Sequence, residues 1–481
     1  MKPTNYPFEP SHLWEHFYQF TQIPRPSKEE AAVRQYVIDQ AEKGANPWRM
    51  DEVGNLVINV PASSGMEGHS TVIIQNHLDM VTVKTGDKTH DFYTQPLTLE
   101  VSDGWLKADR TTLGADNGLG CAAALALMTD PTVEHPPLEL LFTVDEETGL
   151  GGALNFDASM LSGKLMLNLD TEDWNELYIG CAGGGGWEFT RSFDTEPSPA
   201  NLECWSVSIT GLGGGHSGIQ IHEQLGNAIK LLAQFLYGVD NVQLASFMAG
   251  VAHNVIPREG VVTFSCPAGK EKTLSDALVQ LREQWLAYLP AGDNDLELAL
   301  SATEPMAVLS VAHSQEIIEL ISLFPHGAQS YNLEQPADLV DLSINLANIR
   351  LLDGELFLEA SYRFFNEAQS VPLQQQMLAL ANLFDLTVEP SVGYPGWQPD
   401  FDSPLLAQAS ALHNSLFGSD PAVKAIHAGL ECGILKSKKP DVDILSFGPS
   451  IRGAHSPTER VLIETVPPFW QFLTELLAQI K

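Results

Sequence analysis

The chain has 481 residues, 44% of them hydrophobic, which is enough for about three domains of ordinary size with sizeable cores. That apolar content excludes a disordered chain, and a net charge of −35 argues against nucleic-acid partners and anionic membrane surfaces. Such a surface suits a small-molecule substrate or a bound cation. Five scattered cysteines (Cys121, Cys181, Cys204, Cys266, Cys432) without a Cys-x-x-Cys pair offer neither a disulfide framework nor a thiolate zinc knuckle. The opening residues carry no apolar stretch of the signal type, and no run of 18 apolar residues occurs, so the expectation is a cytoplasmic protein without an anchor.

In chain order, residues 11–23 read as an amphipathic helix. Ser27-Lys-Glu-Glu30, after two prolines, has the form of a capping box and predicts a second helix running to about residue 43. Short β-branched runs at 56–60 and 71–75 predict strands. Residues 118–128, small and apolar throughout, predict a buried helix, and 138–144 and 164–169 are again strands. Strands alternating with helices predict an α/β fold with a mostly parallel sheet covered by helices.

Cys181-Ala-Gly-Gly-Gly-Gly186 breaks this rhythm and marks the first domain boundary. From about 200 the order becomes strand, helix, strand, strand, helix, at 205–210, 225–237, 243–251, 260–265 and 273–289. A similar order returns at 296–302, 315–323, 342–351, 356–364, 372–384 and 386–390, which suggests a duplicated α+β unit. After a turn at 394–399 come a helix (403–416), a strand (442–447) and a last helix from 456. The expected organisation is a split first domain, 1–184 and 395–481, with an inserted domain at 185–394 built from units at about 185–290 and 291–394.

The residues with chemical meaning cluster at strand ends. His77-Leu-Asp79 follows the strand at 71–75, Asp145-Glu-Glu147 ends that at 138–144, Asp170 ends that at 164–169, and His455 follows that at 442–447. Asp116, in Gly114-Ala-Asp-Asn-Gly118, sits in a loop leading into the buried helix. In an open α/β sheet, ligands gather at the carboxyl ends of strands, so a parallel sheet would bring all five groups to one rim. Two histidines and three carboxylates form a nitrogen and oxygen set suited to Zn²⁺, Mn²⁺ or Co²⁺. Each residue alone has an ordinary structural reading; the recurrence of acidic groups at one rim is the signal.

The ordered motifs resemble those of the dinuclear zinc exopeptidases, the family of carboxypeptidase G, aminoacylase, peptidase T and carnosinase. Within that family the resemblance is strongest to the branch that cleaves dipeptides ending in histidine. Further echoes are Leu13-Trp-Glu-His-Phe17, Ile23-Pro-Arg-Pro-Ser27, Gln75-Asn-His-Leu-Asp-Met80, Gly213-Gly-Gly-His-Ser-Gly218 and His427-Ala-Gly-Leu-Glu431.

The resemblance implies two zinc ions per chain, replaceable by Co²⁺ or Mn²⁺. Asp116 bridges them, His77 and Asp170 complete one site, and Glu147 and His455 complete the other. Asp79 holds the second ring nitrogen of His77, and Glu146 is the general base that takes a proton from the attacking water. It also implies a cis Asp116–Asn117 peptide. The inserted domain is the family's lid, with His216 as oxyanion donor and Asn254 and Arg363 holding the substrate. For His216 the bland alternative is a surface turn; for Arg363 it is a strand-end arginine facing solvent. His135, His222, His253 and His427 also lie near motifs, with His427 the best placed to line the site, and Glu431 has no assigned role.

The implied activity is hydrolysis of unblocked dipeptides with C-terminal histidine, β-alanyl-histidine (carnosine) included. The alternatives are an N-acyl amino-acid amidohydrolase and a catalytically silent peptide-binding protein on the same fold. A small dipeptide is the expected partner, without nucleic acid or membrane. A homodimer is compatible with the resemblance but not required, because the first lid unit carries His216 and Asn254 and the second carries Arg363.

Overall fold

The computed structural model of the protein describes residues 2–332 and 339–481. It divides into two compact units: one comprises the chain up to Cys181 together with Trp397–Ala425 and Leu430–Lys481, the other Ala182–Gly396 and Ile426–Gly429.

The first unit is built on an eight-stranded sheet. Its order is Trp48–Met50, Leu56–Val60, Leu138–Thr143, Val72–His77, Leu165–Asn168, Asp443–Ser446, Glu176–Cys181, Ala422–Ile426. The sheet is mixed, with its parallel part confined to the centre: Leu138–Thr143, Val72–His77, Leu165–Asn168 and Asp443–Ser446 run parallel. Strands Trp48–Met50 and Leu56–Val60 at one side, and Glu176–Cys181 at the other, add antiparallel pairs. The central strands are buried almost throughout, which is why they read as continuous apolar runs.

Helix Ala115–Thr129 is buried on nearly every side and consists largely of alanine, glycine and leucine. It packs against strand Val72–His77 and against helix Ser11–Gln22, whose Leu13, Trp14, Phe17 and Phe20 recur at helical spacing. The second helix begins later than the capping pattern predicts, at Ala31 rather than after Ser27, and has no side-chain cap. Ser27 donates instead to Asp79, and Glu30 accepts from the amides of Lys28 and Asp145, so both side chains serve the neighbouring loops.

The second unit has one nine-stranded sheet over a single large core. Run outward from its centre, one half reads Gln243–Ala249, Gly260–Pro267, Leu202–Thr210, Glu297–Ala302; the other reads Val340–Leu352, Glu355–Phe364, Gly183–Ser192, Thr387–Pro390, and the ninth strand, Gly327–Tyr331, pairs antiparallel with the first part of Val340–Leu352. All pairs within each half are antiparallel, and the halves join antiparallel through Phe247–Ala249 and Ile349–Leu351. Helices occupy equivalent places in both: Ala228–Tyr237 and Glu271–Leu286 in one, Val311–Leu323 and Glu367–Leu383 in the other.

The duplication is therefore visible, but its boundaries differ from 185–290 and 291–394. Glu297–Ala302 pairs with Leu202–Thr210 and closes the first half rather than opening the second. The strand equivalent to Leu202–Thr210 in the second half is Gly183–Ser192, the stretch whose glycines suggested a break. Its glycines are a packing requirement: a Cβ on Gly185 would come within 2.8 Å of the Tyr362 hydroxyl, and one on Gly186 within 2.6 Å of the Ala360 carbonyl.

His16 ties helix Ser11–Gln22 to the far end of helix Ala115–Thr129. Its ring nitrogens lie 2.7 Å from the Tyr36 hydroxyl and 2.8 Å from Thr129 Oγ1. Burial, and secondarily His12, lower its pKa from 6.5 to about 4. Between those values the unfolded chain takes up a proton that the folded chain does not. Stability present above pH 6.5 is therefore lost as pH falls to about 4, on the order of 3 kcal/mol. Urea unfolding of His16→Gln across this window should show a correspondingly shallower dependence on pH than the parent chain.

Candidate metal centre

The structure brings His77, Asp116, Glu147, Asp170 and His455 together at one end of the first unit's sheet. His77, Asp116 and Asp170 form one group whose ligand atoms lie within 4.8 Å of one another, and Asp116, Glu147 and His455 form another. Asp116 belongs to both, and it divides its oxygens between them. His77 Nε2 is 3.0 Å from Asp116 Oδ1 and 3.4 Å from Asp170 Oδ1. His455 Nε2 is 3.2 Å from Asp116 Oδ2 and 3.0 Å from Glu147 Oε2. Glu147 Oε1 is buried and has no hydrogen-bond partner, an acceptor turned into the cluster. A nitrogen–oxygen donor set with a shared carboxylate and an orphaned acceptor fits a pair of hard or borderline divalent cations. His77, Glu146 and Glu147 form a third group at the same spacing, so Glu146 borders the centre.

Three of these groups arrive from parallel strand ends as expected. His77 ends its strand, Asp170 follows Leu165–Asn168, and Glu146 and Glu147 follow Leu138–Thr143. His455 arrives differently: it lies in the turn between Ile451–Arg452 and Arg460–Leu462, in a separate four-stranded antiparallel sheet with Trp105–Ala108 and Leu99–Ser102. The strand expected to present it, Asp443–Ser446, ends well before it. The Asp116–Asn117 peptide is cis, as the resemblance implies. The Asn117 side chain donates to the Leu169 carbonyl, 2.8 Å, and to the Asp170 carboxylate.

Asp79 is fully buried and links the two ligand loops. Its Oδ1 lies 3.3 Å from His77 Nδ1 and accepts from the Glu146 amide, while its Oδ2 accepts from the Glu147 amide and the Ser27 hydroxyl. Burial works against its charge, but His77 and these donors prevail and lower its pKa to about 2. At His77 burial opposes protonation, yet Asp170, Asp116 and Asp79 raise the pKa well above the ordinary value. Hydrogen bonds to Asp116 and Glu147 raise His455 to about 11. Glu146 is pushed well upward by burial and then by Glu147, Asp170 and Glu431, against the lowering effect of His77. The excess of carboxyl groups is thus registered as raised proton affinity at the two histidines and at Glu146.

Beneath the rim runs a buried polar row. Ser446, Asn168 and Gln75 stand side by side in register. Ser446 donates to Asn168, Asn168 donates to Gln75 Oε1 at 2.5 Å, and Gln75 Nε2 donates to Glu431 Oε2 at 2.6 Å, where the Thr143 hydroxyl also donates at 2.6 Å. Glu431 is fully buried, and burial raises its pKa to about 8. The sequence signal was available: glutamine and asparagine interrupt otherwise apolar central strands.

In the second unit, the two-residue strand Gly215–His216 pairs with Val255–Ile256, and His216 and Asn254 line one cavity of about 470 Å³. His216 Nδ1 accepts from the amides of Gly218 and Ile219, so the neutral ring carries its proton on Nε2 and is a donor there. Arg363 is buried rather than solvent-facing and donates to the Tyr394 hydroxyl at 3.0 Å. It packs beside Gly218, where a Cβ would come within 2.8 Å of its Nε. His427 is also buried there and bonds Ser343 Oγ at 2.8 Å. His216, Arg363 and His427 thus gather around the 213–218 turn. His253 lines a second cavity with Arg363, and His135 bonds the Pro136 carbonyl in the first unit.

A mixed α/β sheet whose end carries one carboxylate shared between two histidine–carboxylate groups has the form of a two-cation site. The profile of the peptidase family M20/M25/M40 matches residues 73–479. The chain is 37% identical over 476 residues to the cytosol non-specific dipeptidase of Escherichia coli (strain K12), covering 98% of each. The crystal structure of aminoacylhistidine dipeptidase from Vibrio alginolyticus superposes with a TM-score of 0.89 at 35% identity, over 98% of this chain and 97% of that one. The aminopeptidase PepT from Bacillus cereus ATCC 10987 shares the fold, with a TM-score of 0.52 at 13% identity over 97% of both chains. The chain belongs to the peptidase family M20/M25/M40, and the expectation of a peptidase enzyme stands. Among the described residues no helix is long and apolar enough to cross a membrane.

Glu431 offers a direct check on the polar row. Glu431→Gln retains an oxygen for Gln75 and Thr143 and should keep stability within about 1 kcal/mol. Glu431→Leu removes the shortest acceptor of both donors, leaving the Thr143 hydroxyl only the Asn76 carbonyl at 3.1 Å and Gln75 Nε2 only the long 3.4 Å approach to Thr143 Oγ1, and should lose about 1–3 kcal/mol in urea unfolding.

Proposed function

We propose that this chain is a zinc-dependent dipeptidase of the cytoplasm that hydrolyses unblocked dipeptides with C-terminal histidine, β-alanyl-histidine among them. The observation that carries this reading is the division of Asp116: one carboxylate oxygen faces His77 and Asp170, the other faces His455 and Glu147. His77, Asp116 and Asp170 would hold one zinc ion and Asp116, Glu147 and His455 the other, with Co²⁺ or Mn²⁺ able to substitute. Two such cations polarise a scissile carbonyl and acidify water.

The remaining steps belong to the chain's own groups. Glu146 takes the water's proton at its carboxylate and passes it to the leaving amine; its place beside His77 and Glu147 at the border of the ligand cluster supports that role. Asp79 fixes the ring orientation of His77. His216 donates from Nε2 to the developing oxyanion, which the two amides on its Nδ1 support. Arg363 takes the substrate's free carboxylate by its fork, and Asn254 assists in holding the substrate. The first unit is the catalytic domain and the second the lid. The relatives named for dipeptides, one non-specific and one acting on aminoacyl-histidine, support free dipeptides over N-acylated amino acids.

The zinc-loaded protein should hydrolyse a panel of Xaa-His dipeptides and leave N-acetyl amino acids intact; the reverse preference would overturn the substrate assignment. Glu146→Gln should retain both zinc ions in metal analysis and lose at least about 10²-fold in kcat, because its amide cannot accept the proton. Loss of zinc in this variant would make Glu146 a ligand.

One chain carries His216, Asn254 and Arg363, and we read it as sufficient for a complete site, with any homodimer dispensable for chemistry. Mixing inactive His216→Ala and Arg363→Ala proteins, with subunit exchange verified, should then restore no activity.

A further inference from the structure

Asp116 stands at the start of a helix, where the leading amides have no partner within the helix. Glu459, far along the chain, supplies one. Its Oε2 accepts from the amides of Leu113 at 2.7 Å and Gly114 at 3.0 Å, and its Oε1 from those of Ala115 at 2.7 Å and Asp116 at 3.3 Å. On the other side of the same turn lies Arg25. Its Nη2 donates to the Gly114 carbonyl, and its Nη1 donates to the carbonyls of Leu78 at 2.8 Å and Asp79 at 2.6 Å. Arg25 is 1% exposed and Glu459 2%, so both charges are spent on main chain and neither is open to a substrate.

The bonds connect two separate segments. Arg25 joins the loop after His77 to the turn before Asp116, and Glu459 gathers four successive amides of that turn. Gly114 makes the approach possible: its φ is +66°, and a Cβ there would meet Arg25 and come within 2.8 Å of Met80 Sδ. A carboxylate is the acceptor suited to four amides, because ionised acceptors form the stronger hydrogen bonds. Glutamine would offer a single acceptor oxygen and turn an NH₂ group toward two of them. Lysine at position 25 would keep the charge but not the planar fork that spans three carbonyls.

We propose that Arg25 and Glu459 are positioning residues for the cation pair: they clamp the Asp116 turn from both sides and set its distance from His77. This rests on the reading of His77 and Asp116 as ligands. A merely structural clamp would lower the stability of the metal-free fold and leave the zinc affinity of the folded protein unchanged.

The test is titration of metal-free full-length protein with Zn²⁺ against a chromophoric chelator, for the parent chain, Glu459→Gln, Arg25→Lys and the double variant, with thermal unfolding of each metal-free protein alongside. Each single variant is expected to bind zinc about 10–100-fold more weakly, the usual range for residues that orient ligands. The double variant should lose less than the product of the two, since both act on one turn. Unchanged zinc affinity in either folded variant overturns the proposal. Should Glu459→Gln fail to fold, Arg25→Lys decides alone. If the parent chain itself takes up no zinc pair, the ligand set is wrong and the clamp falls with it, a result distinct from zinc binding that the variants leave untouched.

Discussion

Like charge held at short range is the constraint around which the first unit is organised. Asp116, Glu146, Glu147 and Asp170 converge on one rim, with Asp79, Glu431 and Glu459 buried just behind them. Only His77, His455 and Arg25 oppose them with positive charge among the groups described above. The consequence is visible in the raised proton affinities of Glu146, Glu147 and Asp170. A cluster in this condition is best relieved by divalent cations, which add charge without adding bulk.

The compensation available from the protein is mostly dipolar. Asp79 takes two backbone amides and a hydroxyl, Glu459 takes four amides, and Glu431 takes an amide side chain and a hydroxyl. These bonds fix where ligand-bearing loops lie as they solvate buried charge. The arrangement therefore treats two problems together: it makes burial of carboxylates tolerable, and it orients loops that have no regular structure of their own.

How much of this was legible in the sequence depended on range. Strand ends carrying His77, Glu147 and Asp170 could be read because a run of β-branched residues followed by polar ones is a local pattern. The capping box at Ser27 failed because its serine hydroxyl bonds Asp79, a competitor far away in sequence. His455 was assigned to the wrong element because its turn belongs to a small antiparallel sheet whose other strands lie near residue 100. Glu459 escaped notice altogether: nothing in Pro457-Thr-Glu459 announces four amides from the other end of the chain. The glycine run at 183–186 does lie where the first unit gives way to the second, after Cys181, but that it also forms a strand was not legible, because the tyrosine and backbone that crowd it are contributed by residues nearly two hundred positions later.

The nesting of the second unit's halves has a consequence for the order in which the chain can be assembled. One half is contiguous, from Leu202 to Ala302, so all four of its strands are available together. The other half begins with Gly183–Ser192, whose sheet neighbours Glu355–Phe364 and Thr387–Pro390 are made last. During synthesis the interrupted half must leave its first strand unpaired while the contiguous half closes. The completed half then presents Gln243–Ala249 as an open edge on which Val340–Leu352 can align. The contiguity of one half and the interruption of the other thus become an order in time, in which the intact half offers the edge on which the split one can align.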